Sequence, residues 1–242
     1  RAAVDPQRLE DTLRADAEHR IKGVLVVQVD TASSVVNDIP ALRAAIDAAG
    51  HPALFLVDCI ACLGSIPFEM DAWGVDVMVA GSQKGLMTPP GLGFVWIGER
   101  AWALPKSSNA SGYWDWRLRA EPEMFYQRFA GTAPTHLLFA LREALTMLVR
   151  EEGLESAWAR HRVLASAVRA CVAGWAEGGA VGFAVEDPAH RSDVVTMVLA
   201  PGLPDPDGWR VWLEAETNLT LGTALGSLHG LGFRIGHMGH LN

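Results

Sequence analysis

The chain has 242 residues, half of them hydrophobic, which is enough apolar sequence to bury a sizeable core and excludes a disordered protein. Its 20 basic and 28 acidic residues give a net charge of −8 without a stripe of Lys and Arg, so nucleic acid is not expected as a partner. The longest apolar runs, residues 23–29 and 53–57, are too short to span a bilayer. They predict buried strands, and no membrane anchor is expected.

The three cysteines, Cys59, Cys62 and Cys171, are an odd and small number, which argues against a secreted disulfide scaffold. A reducing, cytoplasmic compartment is therefore expected. Cys59 and Cys62 have the C-x-x-C spacing of redox and zinc sites, but zinc would need two further ligands and the sequence has no second pair. We expect both to be small apolar residues that follow a strand.

Helical and strand patterns alternate through the first half of the chain. Helices are predicted over residues 5–19 and 40–49, and strands over residues 24–29, 53–57, 75–80 and 93–97. The second helix carries apolar residues at helical spacing and stops at Gly50. This alternation is typical of an α/β domain with a largely parallel sheet.

The second half predicts a smaller α+β domain. Residues 102–128 have no clear period and are predicted as a long surface or interface loop; helices are predicted over residues 135–152, 154–177 and 206–216, and strands over residues 181–185, 194–199 and 232–236. We therefore expect a large domain over residues 1–151 and a small domain over residues 152–242. The chain opens on Arg1 without a start methionine, and a fragment is expected.

Three charged residues lie where the predicted strands end. Asp30 and Asp58 each follow an apolar strand, and Lys84 lies in the small-residue loop Gly81-Ser82-Gln83-Lys84-Gly85. Ligands of open α/β sheets bind beyond the carboxyl ends of the strands, so these positions suit a site. A buried carboxylate at Asp58 calls for a cationic partner, and the Lys84 amine can form a Schiff base with an aldehyde. Taken singly, Asp58 could instead be a capping residue and Lys84 a solvated loop lysine.

These motifs together resemble one enzyme family. Asp58, the Lys84 loop, and Pro89-Pro90-Gly91-Leu92 are similar to the class V aminotransferases of the fold type I pyridoxal phosphate enzymes, and most similar to the serine/alanine-glyoxylate group. The resemblance continues through residues 29–34, Gly131-Thr132-Ala133-Pro134 and residues 233–239, in the same order. It implies an α/β fold of the fold type I transferase kind, with a mainly parallel sheet in the large domain and a smaller C-terminal α+β domain.

The resemblance also implies a role for each matched residue. Lys84 would hold pyridoxal 5'-phosphate as a Schiff base and carry the proton between the substrate Cα and the cofactor, and Asp58 would pair with the pyridine nitrogen. Thr31 would lie near the ring oxygen, Gln83 would contact the phosphate, and Arg234 would clamp the substrate carboxylate. Thr132 would reach the phosphate in the neighbouring subunit, which implies a homodimer with shared active sites.

The sequence departs from the family at several positions. Asp30 stands where the family usually has Glu, and Phe129 stands where an aromatic hydroxyl is expected, with Tyr126 nearby. The Gly/Ser-rich turn that cradles the phosphate and the residue that stacks on the ring lie upstream of Arg1 in the family. We therefore expect the N-terminal part of the large domain to be missing from this sequence.

Other readings of the motifs remain open. The expected reaction moves an amino group from serine or alanine to glyoxylate or another 2-oxo acid; a pyridoxamine-pyruvate or aminoethylphosphonate aminotransferase is a second possibility, and a non-catalytic, truncated dimerisation module a third. A cysteine desulfurase is disfavoured because Cys59 and Cys62 follow a strand. His237 and His240 have no third ligand nearby, so no metal is expected. The glycines before Arg234 are predicted to form a flexible loop, since no Gly-Lys-Ser/Thr ending follows them.

Overall fold

The computed structural model describes residues 1–105 and 112–240, and this part of the chain contains two four-stranded sheets. The strands are β1 (Gly23–Val27), β2 (Leu54–Asp58), β3 (Val77–Gly81), β4 (Gly93–Ile97), β5 (Gly182–Phe183), β6 (Val195–Leu199), β7 (Gly222–Thr223) and β8 (Gly232–Gly236). The helices are α1 (Pro6–Ala15), α2 (Ile39–Ala48), α3 (Glu99–Trp102), α4 (Arg117–Ala120), α5 (Thr135–Leu145), α6 (Leu154–Ala176) and α7 (Pro206–Thr217). A π-helical segment, Thr146–Glu152, follows α5 directly.

The first sheet has the strand order β1-β2-β3-β4. Strands β1, β2 and β3 are parallel, and β4 is antiparallel to β3. Val27 pairs with Asp58, and Asp58 pairs with Val79, so the carboxyl ends of the three parallel strands lie side by side. The prediction of a mainly parallel sheet is confirmed, and one edge of that sheet gathers the loops that follow its strands.

One face of the first sheet forms the main core. Successive side chains of a strand point to opposite faces, so Phe55 and Val57 of β2 share a face, and both are at most 1% exposed. The apolar side of α2, with Leu42 and Ile46, packs in the same cluster. Burying each of these side chains stabilises the fold by roughly 1.5–3 kcal/mol. This packing holds the strand ends in fixed positions.

The other face of the first sheet is apolar but more open. Leu25 pairs with Leu56 across β1 and β2, and the Leu25 side chain is 76% exposed. A cavity of about 300 Å³ lies against this face, and Asp58 and Trp116 are among the residues that line it. The carboxyl end of β2 therefore opens into an apolar space.

The second sheet has the order β5-β6-β8-β7, and its strands are antiparallel. Helices α6 and α7 pack against this sheet. Val172 of α6 and Phe233 of β8 are at most 1% exposed, and the ring of Trp209 of α7 lies 5.1 Å from that of Phe233. The expected domain boundary between residues 151 and 152 falls at the end of the π-helical segment and stays a prediction. No helix in the described ranges has the length and apolar character needed to cross a bilayer.

Three helices begin with an aspartate N-cap. Asp5, Asp38 and Asp205 each accept a hydrogen bond from a backbone N–H of the first turn of α1, α2 or α7. Each of these helices also has a proline at one of its first two positions, where the missing N–H would have no intrahelical partner. The Asp caps explain why these helices start close to where the sequence predicts.

The structure differs from the sequence prediction in three segments. Within the predicted loop over residues 102–128 it has α4 and a 3₁₀ helix, Phe125–Phe129, while residues 106–111 lie outside the described residues. The helix predicted over residues 135–152 becomes π-helical at Thr146. The sequence does not reveal this change, because the apolar period does not distinguish α from π winding. Strand β7 lies in the predicted flexible loop. The sequence does not predict it, because two residues are too few to show the alternation of a strand.

Candidate active site

The residues expected at the carboxyl edge of the first sheet are placed there by the three parallel strands. Thr31 follows β1, Asp58 ends β2, and Lys84 lies in the loop over residues 82–92 after β3. A parallel arrangement brings these successive loops to one edge, because every strand runs in the same direction. Segments that are far apart in sequence therefore meet at one edge.

Asp58 is half-buried and oriented by its own turn. Its Oδ1 accepts a hydrogen bond of 2.7 Å from the N–H of Ile60, and its carbonyl oxygen accepts one of 2.9 Å from the N–H of Gln28. In the described residues the second carboxylate oxygen has no donor, and the side chain borders the cavity against the open sheet face. A carboxylate in this setting is available to a cationic partner.

The first half of the Lys84 loop is fixed by Ser82 and Gly85. The buried Ser82 hydroxyl donates to the carbonyl oxygen of Pro89 at 2.8 Å, and the Ser82 N–H donates to that of Leu92 at 3.1 Å. Gly85 packs so tightly that a Cβ on it would overlap the carbonyl oxygen of Leu63. Glycine is therefore required directly after the candidate lysine.

The second half of the Lys84 loop packs on helices. Leu86 is 6% exposed and contacts a cluster with Leu148 of the π-helical segment and Ala157 of α6. The Met87 N–H donates to the Lys84 carbonyl oxygen at 2.9 Å. Lys84 itself is half-buried and forms no ion pair within the described ranges. The backbone is thus held firmly while the amine has no carboxylate partner.

Asp30 shapes the loop that contains Thr31. Its carboxylate accepts hydrogen bonds from the N–H groups of Ala32 and Ser33, both at 3.1 Å, and from the Ser33 hydroxyl. Burial raises the pKa of Asp30, but these hydrogen bonds outweigh burial, so the net pKa lies below its usual value. Ser34 then joins the loop to the second sheet, because its hydroxyl accepts the Met197 N–H at 2.9 Å.

Arg234 of β8 reaches the same loop from the second sheet. Its Nε donates to the carbonyl oxygen of Thr223 at 2.7 Å, and its Nη1 donates to that of Thr31 at 3.2 Å. Burial lowers the pKa of Arg234, and in the described residues no carboxylate neutralises the guanidinium. The structure therefore brings Arg234 and Thr31 together and leaves a positive charge able to bind an anion.

Two further residues of the expected site, Gln83 and Thr132, have exposed side chains. The Gln83 side chain folds back towards Gly81. A Cβ built on Gly81 would lie only 2.8 Å from Gln83 Oε1. Thr132 is exposed just before α5 and has no hydrogen bond to the other expected site residues in the described part of the chain. Their assigned contacts with a phosphate stay predictions.

The histidines and cysteines considered for metal or redox chemistry have protein partners. His237 is 2% exposed, with Nδ1 donating to the carbonyl oxygen of Asp193 at 3.0 Å and Nε2 accepting from the Thr196 hydroxyl at 2.9 Å. The thiol of Cys62 donates to Gln28 Oε1 at 3.1 Å, and its hydrogen bond with Cys59, followed by burial, raises its pKa. Residues 1–105 and 112–240 contain no cluster of three metal-ligating side chains.

Sequence reasoning missed His161 on α6. Its Nε2 accepts the N–H of Gly239 at 2.9 Å, and the two residues are 78 positions apart. A single histidine in a long amphipathic helix gives no local signal of such a partner, so only a comparison of the family's sequences could have singled it out.

Comparisons with known proteins agree over nearly the whole chain. The Aminotransferase class-V family model matches residues 2–200. The serine-glyoxylate aminotransferase of Methylorubrum extorquens is 43% identical, with 98% of this chain and 59% of the relative covered. The L-aspartate-glyoxylate aminotransferase of Paracoccus denitrificans is 38% identical, with the same 98% and 59% coverage.

A solved structure agrees as well. The pyridoxamine-pyruvate aminotransferase from Mesorhizobium loti superposes with a TM-score of 0.85 at 28% identity, over 98% of this chain and 59% of that one. The chain thus spans about three fifths of the length of the proteins it matches. By the extent of the family match and the identity to these relatives, this chain belongs to the class-V aminotransferases, with the fold type I architecture.

Proposed function

We propose that the protein is a pyridoxal 5'-phosphate-dependent aminotransferase that moves an amino group from a small amino acid, serine or alanine, to glyoxylate or another 2-oxo acid. The observation that carries this proposal is the bond from the Arg234 guanidinium to the Thr31 carbonyl oxygen, 3.2 Å long. It joins an anion-binding cation of the second sheet to the edge of the first sheet that holds Asp58 and Lys84. An amino acid bound there would have its carboxylate held at a fixed distance from an amine.

The residues at this edge fit the cofactor. Asp58 offers a carboxylate oxygen without a protein donor in the described residues, beside an apolar cavity of about 300 Å³, which suits a protonated pyridine nitrogen. Thr31 would contact the ring hydroxyl, and Gln83 the phosphate. When bound, the cofactor supplies an electron sink for the charge that develops at the substrate Cα.

Each residue then has its own part in the reaction. The Arg234 guanidinium binds the substrate carboxylate, and its limited hydration strengthens that ion pair. The Lys84 Nζ would hold the cofactor covalently and would afterwards move the proton between the substrate Cα and the cofactor C4′. Asp58 keeps the ring nitrogen protonated. The firmly packed backbone around Ser82 and Gly85 supports a precise position for the Lys84 amine.

We also propose a homodimer with shared active sites, in which Thr132 reaches the partner's cofactor phosphate. Support comes from large apolar side chains that are exposed in the stretch of chain on either side of Thr132: Trp114 is 72% exposed, Phe125 68% and Phe139 69%. Large exposed aromatic side chains in one region of a surface are typical of an interface.

The first test compares Lys84→Ala with Lys22→Ala, a matched change at an exposed lysine. In the natural full-length protein, Lys84→Ala should abolish the visible absorbance of covalently bound cofactor and lower kcat by about a thousandfold or more, because attachment and proton transfer are both lost. Lys22→Ala should leave both unchanged. Full transaminase activity in Lys84→Ala would refute the proposal.

A donor panel tests the substrate. Serine, alanine, aspartate, pyridoxamine and aminoethylphosphonate, each with glyoxylate and with pyruvate, cover the reactions that the family relationship suggests. We expect the highest kcat/KM for serine or alanine with glyoxylate, as the name of the 43% identical relative suggests. A preference for pyridoxamine would favour the second possibility, and no turnover with any pair would favour the dimerisation module.

A further inference from the structure

The segment over residues 236–240 begins at the last residue of β8 and connects the second sheet to the Lys84 loop; we call it the 236–240 strap. Gly239 lies in this strap with a φ of +77°, and a Cβ built on it would lie 3.4 Å from Met87 Cγ and 3.9 Å from the carbonyl oxygen of Lys84. The strap therefore lies close beside the turn that carries Lys84, with room for no more than one further carbon atom between them.

His161 holds this strap from α6. The ring is 1% exposed, and its Nδ1 lies 2.7 Å from the carbonyl oxygen of Ala157, which can only accept, so Nδ1 carries the proton. Nε2 is then unprotonated and accepts the N–H of Gly239 at 2.9 Å. Both ring nitrogens have one partner each, which fixes the neutral tautomer and the orientation of the ring.

The carbonyl group of Gly239, which belongs to the next peptide unit, is held as well. Arg160 Nη1 donates to the Gly239 carbonyl oxygen at 2.6 Å, and two hydrogen bonds to Glu152, of 2.6 and 2.9 Å, orient the Arg160 guanidinium. The neighbouring residues His161 and Arg160 of α6 therefore hydrogen-bond to the N–H and the C=O of Gly239. A residue whose two flanking peptide units are both hydrogen-bonded has little freedom to move away from the Lys84 turn.

We propose that His161 is a positioning residue for Lys84, acting through the Gly239 peptide. This inference rests on the proposed function, since it assigns His161 a part in a reaction at Lys84. Arg234, which lies on the strand that leads into the strap, has separate anchors at Thr223 and Thr31. Loosening the strap should therefore disturb the position of the amine more than the binding of the substrate carboxylate.

The test uses three variants in the natural full-length protein. His161→Phe keeps the volume of the ring and removes the acceptor, His161→Gln retains an acceptor at a similar reach, and Val172→Ala weakens a fully buried contact of α6 on the second sheet, away from the strap. Hydrogen exchange is followed in peptides over residues 82–88 and 236–240 without cofactor, and kcat and KM are measured with cofactor.

We expect His161→Phe to speed exchange in both peptides by about tenfold and to lower kcat by about tenfold, with little change in the KM for the amino acid. His161→Gln should restore both quantities, and Val172→Ala should change neither beyond the overall loss of stability. If His161→Phe does not fold, Arg160→Leu releases Gly239 from its carbonyl side and carries the same expectation.

Exchange over residues 82–88 that is no faster in His161→Phe than in Val172→Ala would overturn the inference, as would a failure of His161→Gln to restore it. Absence of transamination in the wild-type protein would instead contradict the proposed function. The exchange comparison needs no cofactor, so it decides whether His161 holds the Lys84 loop even where transamination is absent.

Discussion

His237 is a nearly fully buried histidine, and its environment predicts a pH-dependent stability. Burial lowers its pKa from 6.5 to about 4, because the ring lies between Thr196 and Asp193 with little access to water. Between these two values the unfolded chain binds a proton that the folded chain does not bind. The stabilisation is therefore complete above the unfolded pKa and is lost as the pH falls towards the folded pKa.

We expect the free energy of unfolding to fall by about 2 kcal/mol through His237 when the pH is lowered from about 7 to about 5. Urea unfolding of the wild type and of His237→Gln at both pH values measures the effect, and the variant should show the smaller pH dependence. His161, whose pKa burial also lowers, remains in both proteins and cancels in the comparison. Equal pH dependence in the two proteins would contradict the prediction.

Arg234 is expected to act on substrate affinity. Arg234→Gln removes the charge that would pair with a carboxylate, and we expect the KM for the amino donor to rise by about a hundredfold. Arg191 offers a matched control, because this partly buried arginine donates to the carbonyl oxygens of Val185 and Glu186. Steady-state kinetics should show Arg191→Gln with a normal KM; an equal rise in both variants would point to a general structural loss.

The loop between β3 and β4 depends on Gly85. Gly85→Ala would place a Cβ against the carbonyl oxygen of Leu63 and the hydroxyl of Ser65, so either the loop or the turn must shift. We expect the free energy of unfolding to fall by about 2 kcal/mol and the affinity for pyridoxal phosphate to fall with it. Gly93→Ala is the control, since a Cβ there meets nothing within 4 Å. Denaturant unfolding and an absorbance titration measure both effects; an unchanged Gly85→Ala would show that the loop adapts freely.

The elements of the first sheet could largely be predicted from the sequence. Strands such as β4, found at the predicted residues 93–97, are short apolar runs between turn residues, so local sequence determines their position. The π winding after Leu145 could not be predicted, because apolar spacing does not distinguish it from α winding. Nor does local sequence show that Leu148 of this segment packs in one cluster with Leu86 of the Lys84 loop.

The site shows the same division between local and distant contacts. Asp58 and Lys84 could be assigned to one sheet edge, because each follows a strand of a parallel sheet. The bond between Arg234 and Thr31 joins residues 203 positions apart, and that between Gly239 and His161 joins residues 78 positions apart. No local sequence pattern indicates that Arg234 contacts the Thr31 loop or that His161 contacts the 236–240 strap. These two contacts are therefore known only from the structure.

At the scale of the whole molecule, the proposed sharing of the active site between two subunits predicts that two defective subunits can complement each other. A Lys84→Ala subunit lacks the amine of its own site but supplies an intact Thr132 to its partner. A Thr132→Asp subunit keeps its own Lys84 but would repel the phosphate in the partner's site. In a heterodimer of the two, one site carries both defects and the other carries neither.

Each variant alone should therefore be nearly inactive, while an equal mixture that has exchanged subunits should regain about a quarter of the wild-type sites, since half of the dimers are mixed and each has one intact site. Activity and bound-cofactor absorbance before and after exchange measure the recovery, and a mixture of Lys84→Ala with Asp58→Ala is the control. Both control changes lie at the same sheet edge of one subunit, so no mixed dimer gains an intact site from them. Recovery in the control, or none in the test mixture, would contradict an active site shared through Thr132.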